Sequence, residues 1–259
     1  MNRSILLVFT LFLFFSCKQA PKKKLTGPLL DASLEESKEA YFPEKLGNVF
    51  EKHGGLVTWR AAQVLAFNLK DERHTTNLQT RKTHIAAPNY SLGFDGKEVW
   101  LQQKDSTSFK GNKDFYYNLY FYFYAMPFVL ADDGIVYEKI PDLKFEGKSY
   151  PGFKISYQAN VGTSPDDNYF VYYHPETYQM EWLGYTVTFF SKKVNNDFHL
   201  IRYNSWEFVA NLRLPKQITW YEKDENGQPT VPAKVPTDFS EALLLKTEMD
   251  PDFFVKPIE

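Results

Sequence analysis

DNYFVYYHPETYQMEWLGY, residues 167–185, shows how the chain is built. Tyr169 to Tyr173 is a run of aromatic and β-branched side chains, the types that fit a pleated surface. His174-Pro175-Glu176-Thr177 breaks the run, and Met180 to Tyr185 resumes it. Strand, turn, strand over 168–190 is therefore a hairpin. The same pattern extends in both directions. HLIRYNSWEFVANLRLPKQITWYEK, 199–223, supplies two further strands, and KFEGKSYPGFKISYQ, 144–158, another pair. NYSLGFDGKEVWLQ, 89–102, turns at Asp95-Gly96, a two-residue hairpin signal. Segments 63–70 and 75–85 read as strands, the second with weak alternation. Residues 227–240 hold Pro229, Pro232 and Pro236 and read as loop, with a short helix or strand near 240–247. The sum is about nine to eleven strands of ordinary length.

Before the strands, residues 34–53 read as helix. Pro43 suits a first turn, and Leu46, Val49, Phe50 and His53 recur at helical spacing. Gly54-Gly55 ends it, with His53 as a cation at the helix C-terminus. Leu56 to Arg60 forms one more turn carrying Trp59. The fold class is α+β, mainly β: a curved antiparallel sheet, an incomplete barrel, wrapped around helices.

Composition removes several classes of function. With 30 Lys+Arg against 32 Asp+Glu the formal charge is -2, so the chain is no basic nucleic-acid binder. At 43% hydrophobic and 17% aromatic it can build a core. One cysteine excludes a disulfide framework and a multi-cysteine zinc site.

That cysteine belongs to an address. In MNRSILLVFTLFLFFSC, residues 1–17, Arg3 is the only charge, and an apolar run from Ile5 to Phe15 follows, interrupted by Thr10. This is a secretory signal, too short for a spanning helix. Cys17 directly after Ser16 resembles the lipobox of bacterial lipoproteins, whose cysteine is acylated after cleavage. The predicted division is 1–16 signal peptide, 17–43 lipidated N-terminus and tether, and 44–259 a single half-barrel domain with a C-terminal tail. The location implied is the bacterial envelope, lipid-anchored and outer-membrane, facing the periplasm.

The 167–185 hairpin, RYNSWEFVANLRLPKQITWY at 202–221 and HGGLVTW at 53–59 together resemble uncharacterised lipoproteins of Bacteroidota. In layout they are also similar to the LolA/LolB-like lipoprotein-carrier superfamily. The resemblance implies helices plugging the concave face of an open barrel, with an apolar cavity that holds acyl chains. Asn211 stands where that pattern commonly has Gly, and Asn tolerates the same backbone region.

The segment from Phe115 to Phe128 is apolar or aromatic on every helical face and is predicted as one helix, buried or set against a ligand. Its five tyrosines need partners for their hydroxyls. The helix either lines a pocket or plugs the sheet. The candidate cavity set is Trp59, Tyr116, Tyr120, Phe123 and Tyr124. Trp100, Trp182, Trp206 and Trp220 either make a stacking face for sugars or alternate into the core. His74 and His84 would form a weak metal pair if no turn separates them.

No G-x-S-x-G, G-x-G-x-x-G or H-E-x-x-H motif occurs. The chain is therefore read as a non-catalytic lipoprotein without a cofactor. Its expected partners are a membrane, through the anchor, and a lipid-like ligand in the concave cavity. Two alternatives stand beside this: an envelope scaffold acting through a protein partner, and a carbohydrate-binding or hydrolytic surface lipoprotein.

Overall fold

The computed structural model describes residues 42–157, 167–191 and 197–258. Its thirteen strands form one curved antiparallel sheet that does not close. Strands β1 (Val64–Leu69), β2 (Glu72–Asn77), β3 (Thr83–Ala87), β4 (Tyr90–Phe94) and β5 (Val99–Gln103) run in order from the middle of the sheet to one edge. The chain then crosses to the opposite edge. From there β6 (Ile135–Phe145), β7 (Lys148–Tyr157), β8 (Tyr169–Tyr173), β9 (Met180–Tyr185), β10 (His199–Val209) and β11 (Leu212–Lys223) return to the middle. A short β12 (Pro229–Pro232) pairs with β11 alone, and β13 (Thr237–Leu245) lies between β11 and β1.

The halves are hairpins between sequence neighbours, as the alternation predicts. Ala210 and Asn211 both take positive φ, 47° and 72°, in the two-residue turn between β10 and β11, so Asn serves in the backbone region expected of it. The turn between β4 and β5 spans 95–98, two residues longer than Asp95-Gly96. The Asp95 Oδ1 accepts from the N–H of Lys97 at 2.7 Å and of Glu98 at 3.0 Å, which widens the loop. The proline-rich stretch read as loop carries β12 and leads into β13. Pro229 and Pro232 bound a strand that has one pairing partner, a position where a missing N–H does no harm.

A turn separates β2 from β3 and decides the histidine pair. Thr75 lies opposite His84, so His74 and His84 face opposite sides of the sheet and share no ligand site.

Four short helices fill the concave face. They are α1 (Glu44–Lys52), α2 (Leu56–Arg60), α3 (Lys113–Tyr116) and α4 (Leu119–Tyr124), followed by a 3-10 turn, Phe128–Ala131. Phe50 of α1, Trp59 of α2, Phe121 and Tyr124 of α4, and Phe128 join Leu65, Phe67, Val171, Leu183 and Ile218 in one buried cluster. Trp59 stacks on Phe128 with centroids 4.9 Å apart and planes at 11°. Burying each large apolar side chain here contributes about 1.5–3 kcal/mol.

The aromatic run is not one helix. It breaks between Tyr116 and Leu119, because aromatic residues are weak helix formers and packing sets their path. Asn112 starts the first piece, its Oδ1 accepting from the N–H of Asp114 at 2.9 Å and of Phe115 at 3.2 Å. The break lets Tyr117 pack with Ile85 and Leu92 while α4 enters the main core.

The tryptophans form no common face. Trp206 and Trp220 pack against the main core. Trp182 is fully buried on the other side, with Leu143, Phe145 and Leu200. Trp100 is buried and donates from Nε1 to the Phe254 carbonyl at 2.9 Å. Alternation along strands buried on both faces accounts for all four.

His53 ties α1 to the second half of the sheet. Its Nε2 accepts from the Met180 N–H at 3.1 Å, and Nδ1 donates to the Arg213 carbonyl at 3.1 Å. This is a neutral imidazole, not the predicted cation. Burial, together with the charges of Arg213 and Lys52, lowers its pKa to about 4. The chain turns away at once through Gly54, φ +109°, where an added Cβ would sit 2.3 Å from the Asn211 carbonyl oxygen.

Unfolded, His53 takes up its proton near pH 6.5. Its contribution to stability is therefore complete above that pH and is lost as pH falls toward about 4. The loss totals about 3 kcal/mol. Urea midpoints should fall between pH 7 and pH 5 in the native chain and change less in His53→Asn; equal slopes would count against the buried neutral ring.

Candidate functional site

A pocket of about 80 Å³ opens between the aromatic helices and the ends of β7, β8 and β9. The helical wall carries Phe115, Leu119, Tyr122 and Phe123, with Asp114 and Asn118. The sheet wall carries Tyr157, Tyr169 and Tyr185, continued by Thr186, Val187 and Phe189, with Asp167 beside them. Leu119, Tyr122 and Phe123 fall at i, i+3 and i+4, one face of α4. Phe121 and Tyr124 take the opposite face into the core.

Hydrogen bonds hold these walls. Tyr185 Oη accepts from Trp220 Nε1 at 2.9 Å, and Phe123 lies against both rings at 5.0 and 5.9 Å. Asp167 Oδ1 accepts from the Thr188 N–H at 2.6 Å, and Thr186 Oγ1 accepts from the Asn168 N–H at 2.8 Å. Burial raises the Tyr169 hydroxyl well above the ordinary phenol range, with Tyr157, Tyr122 and Asp167 adding to it, so it stays protonated. At the rim Phe115 meets Phe189 at 5.3 Å and Phe190 at 5.0 Å, and Phe190 is 65% exposed. Among the described residues that line it, none is Lys, Arg or His.

Of the predicted cavity residues, only Phe123 lines this pocket. Trp59 and Tyr124 are core, the Tyr124 hydroxyl turned toward Glu207, and Tyr120 sits over His74 at 6.2 Å. Tyr116 is engaged elsewhere, as described below. On α4 this pocket is lined by Leu119, Tyr122 and Phe123, and Tyr120 and Tyr124 point elsewhere. Tyr157, Tyr169 and Tyr185 went unselected. Tyr185 follows Tyr169 in one hairpin and pairs with it across β8 and β9, a proximity the hairpin itself implied. Cys17 lies outside the described residues.

Among the described residues no three His, Cys, Asp or Glu are placed to hold a metal ion, and no helix is long and apolar enough to cross a membrane. The model of a family of unknown function, DUF6503, matches residues 71–236, from the start of β2 past β12. The chain belongs to that family. No curated protein matches it in sequence. Similar solved structures include a DUF1329 family protein from Desulfovibrio piger, 10% identical, covering 80% of this chain and 95% of the other with a TM-score of 0.43. A LolA superfamily protein from Nitrosomonas europaea is 10% identical and covers 80% and 96%, at 0.39. A domain described as an outer membrane lipoprotein-sorting protein, from Vibrio parahaemolyticus, is 9% identical and covers 81% and 94%, at 0.39. These are similarities in the course of the chain.

The DUF6503 segment opens on a second polar cluster. Glu72 and His74 share one face of β2, two residues apart, and His74 Nε2 lies 2.7 Å from Glu72 Oε2. Tyr116 of α3 donates to both oxygens of Glu72, at 2.8 and 3.0 Å, and Tyr90 of β4 donates to Oε1. Burial alone would raise the Glu72 pKa, but the bonds from His74, Tyr90 and Tyr116 outweigh it and hold the carboxyl below its ordinary value. The carboxylate pins the first aromatic helix to the first half of the sheet. This answers the predicted need of Tyr116 for a partner, and the Glu-x-His spacing was its sequence signal.

Tyr116→Phe should cost roughly 1–2 kcal/mol in urea unfolding, and Glu72→Gln roughly 1–3 kcal/mol. Added to Glu72→Gln, Tyr116→Phe should cost less than it does alone; strict additivity would mean the two do not interact. Because its folded pKa is lowered, the Glu72 contribution is present above the unfolded carboxylate pKa and is lost as pH falls through the folded value.

Proposed function

We propose that this chain is a non-catalytic, lipid-anchored envelope lipoprotein that binds one end of a lipid-like ligand in the aromatic pocket. Residues 1–16 are its signal peptide, Cys17 carries the acyl groups, and 17–43 tether the half-barrel domain of 44–259. Two membrane signals suffice for stable anchoring, and a multiply acylated cysteine supplies them. Outer-membrane placement facing the periplasm and a Bacteroidota source belong to the same reading.

The observation that carries it is the pocket itself: a concave site with aromatic walls and an exposed phenylalanine rim. Its volume of about 80 Å³ is small beside the roughly 300–1,000 Å³ of drug-sized sites. A compact end of the ligand enters, and the remainder lies along Phe115 and Phe190. The polar groups of the lining support a binding role, since Asp167 and Thr186 are engaged in backbone hydrogen bonds. A second reading, an envelope scaffold with a protein partner, is favoured by the filling of the rest of the concave face.

Native mass spectrometry of the full chain, extracted from membranes in neutral detergent, should show a copurifying ligand. Leu119→Trp, which fills the pocket, should remove that mass with the circular dichroism unchanged, whereas Tyr120→Phe should not. A clean mass in the native chain after incubation with membrane lipid moves the assignment to the scaffold. Cys17→Ser should shift the protein from the membrane to the soluble fraction; continued membrane partition would overturn the anchor.

A further inference from the structure

We propose that Glu72, His74, Tyr90 and Tyr116 form a binding site for a hard trivalent metal ion, ferric iron. The site draws on a different cluster from the pocket and does not depend on the lipid-binding reading. Three elements bring its donors together. Glu72 and His74 share a face of β2. Arg73 pairs with Ala86 and Ala87 with Tyr90, which sets Tyr90 two strands away on β4. Tyr116 comes from α3. Both phenol oxygens and His74 Nε2 meet the oxygens of one carboxylate, Tyr116 at 2.8 and 3.0 Å and His74 at 2.7 Å. Metal–donor bonds of about 2.0–2.2 Å place donors at right angles roughly 2.8–3.1 Å apart. The cluster therefore has the spacing of a coordination sphere, with protons joining the donors where a cation would.

Neighbouring rings fix the donors in place. His74 lies flat on Phe67, with centroids 4.9 Å apart and planes at 11°. Phe109 meets the rings of Tyr90 and Tyr116 at 5.1 and 5.5 Å. Such outer contacts orient the ligands of metal sites. The side chains of Glu72 and His74 are 12% and 4% exposed, whereas both tyrosines are half-buried and give the ion a way in.

The donor set selects the ion. Two of the four donors are phenols, so the site needs no third His, Cys, Asp or Glu. Oxygen and imidazole ligands suit iron and not a soft, thiolate-seeking metal. Coordination releases each phenol proton to solvent. One carboxylate and two phenolates then bring three negative charges. A trivalent cation balances them. A divalent cation leaves a net negative charge in a largely buried site, which is costly.

The test titrates ferric nitrilotriacetate into the full chain in neutral detergent, after removal of bound metal with a chelator. Visible absorption and iron retained per chain after desalting are read together. Phenolate bound to ferric iron absorbs visible light by charge transfer, a signal that carboxylate and imidazole ligands do not give. The expected result is this band with one iron per chain. Tyr90→Phe and Tyr116→Phe each remove one of the two phenolates and should lower the absorbance per chain by about half or more. Tyr120→Phe, which keeps all four donors, should leave the band unchanged. Circular dichroism checks the fold of each variant, and the native chain decides the question without them. Equimolar zinc should not displace the iron; if it does, the charge match is overturned. No band in the native chain, or a band that both phenylalanine variants keep in full, overturns the site and leaves the cluster as a structural pin alone.

Discussion

The rest of the structure depends on the pairing of β13 with β1. Leu65 meets Leu244 and Leu69 meets Phe239, while on its other side β13 meets β11 through Gln217–Asp238 and Ile218–Thr237. Every other neighbour relation along the sheet is a local hairpin. Without β13 the two halves would be separate curved sheets, each with an unpaired inner edge. An exposed edge is a template for association, so the last strand both joins the halves and covers the two edges. Phe239 shows how the join reaches the core: its ring meets Phe67 of β1 at 5.5 Å and Tyr124 of α4 at 4.8 Å.

A sheet curved this strongly leaves a concave face that water cannot fill favourably. The short helices occupy it, each fixed by a different device. His53 uses two backbone hydrogen bonds to reach β9 and β11. Trp59 stacks on Phe128. Glu72 gathers hydroxyls from α3 and β4. These polar anchors are buried and paired, so they specify where each helix sits as well as contributing energy. The pocket is what remains where α4 passes the ends of β7 to β9: its outer face meets tyrosines instead of the aliphatic side chains of the centre.

That arrangement explains the character of the site. Tyrosine in such a wall offers ring surface and a hydroxyl that finds a partner, as Tyr185 does with Trp220. Rings fixed in this way lose little freedom on binding, which favours affinity for a small ligand. The Asp167–Thr188 and Asn168–Thr186 hydrogen bonds continue the β8–β9 pairing beyond the strands and hold the mouth of the site in register.

Local signals in the sequence determined most of the fold. Alternation and turn residues marked the hairpins at 89–102, 144–158, 168–190 and 199–223, and the spacing of Leu46, Val49 and Phe50 marked the face of α1. These are nearest-neighbour properties, set by side-chain period and backbone preference. β13 was obscured because its partner β1 is remote in sequence and the prolines before it read as loop. The state of His53 was likewise set at a distance, by the Met180 N–H and the Arg213 carbonyl. The aromatic run was legible as the segment that meets the core, but which side chains of α4 face the pocket depends on packing against a sheet assembled from both ends of the chain. Tyr157, Tyr169 and Tyr185 became one wall only through pairing across three strands. A linear sequence records which residues suit a surface; which of them converge depends on contacts between distant segments, and those exist only in the folded chain.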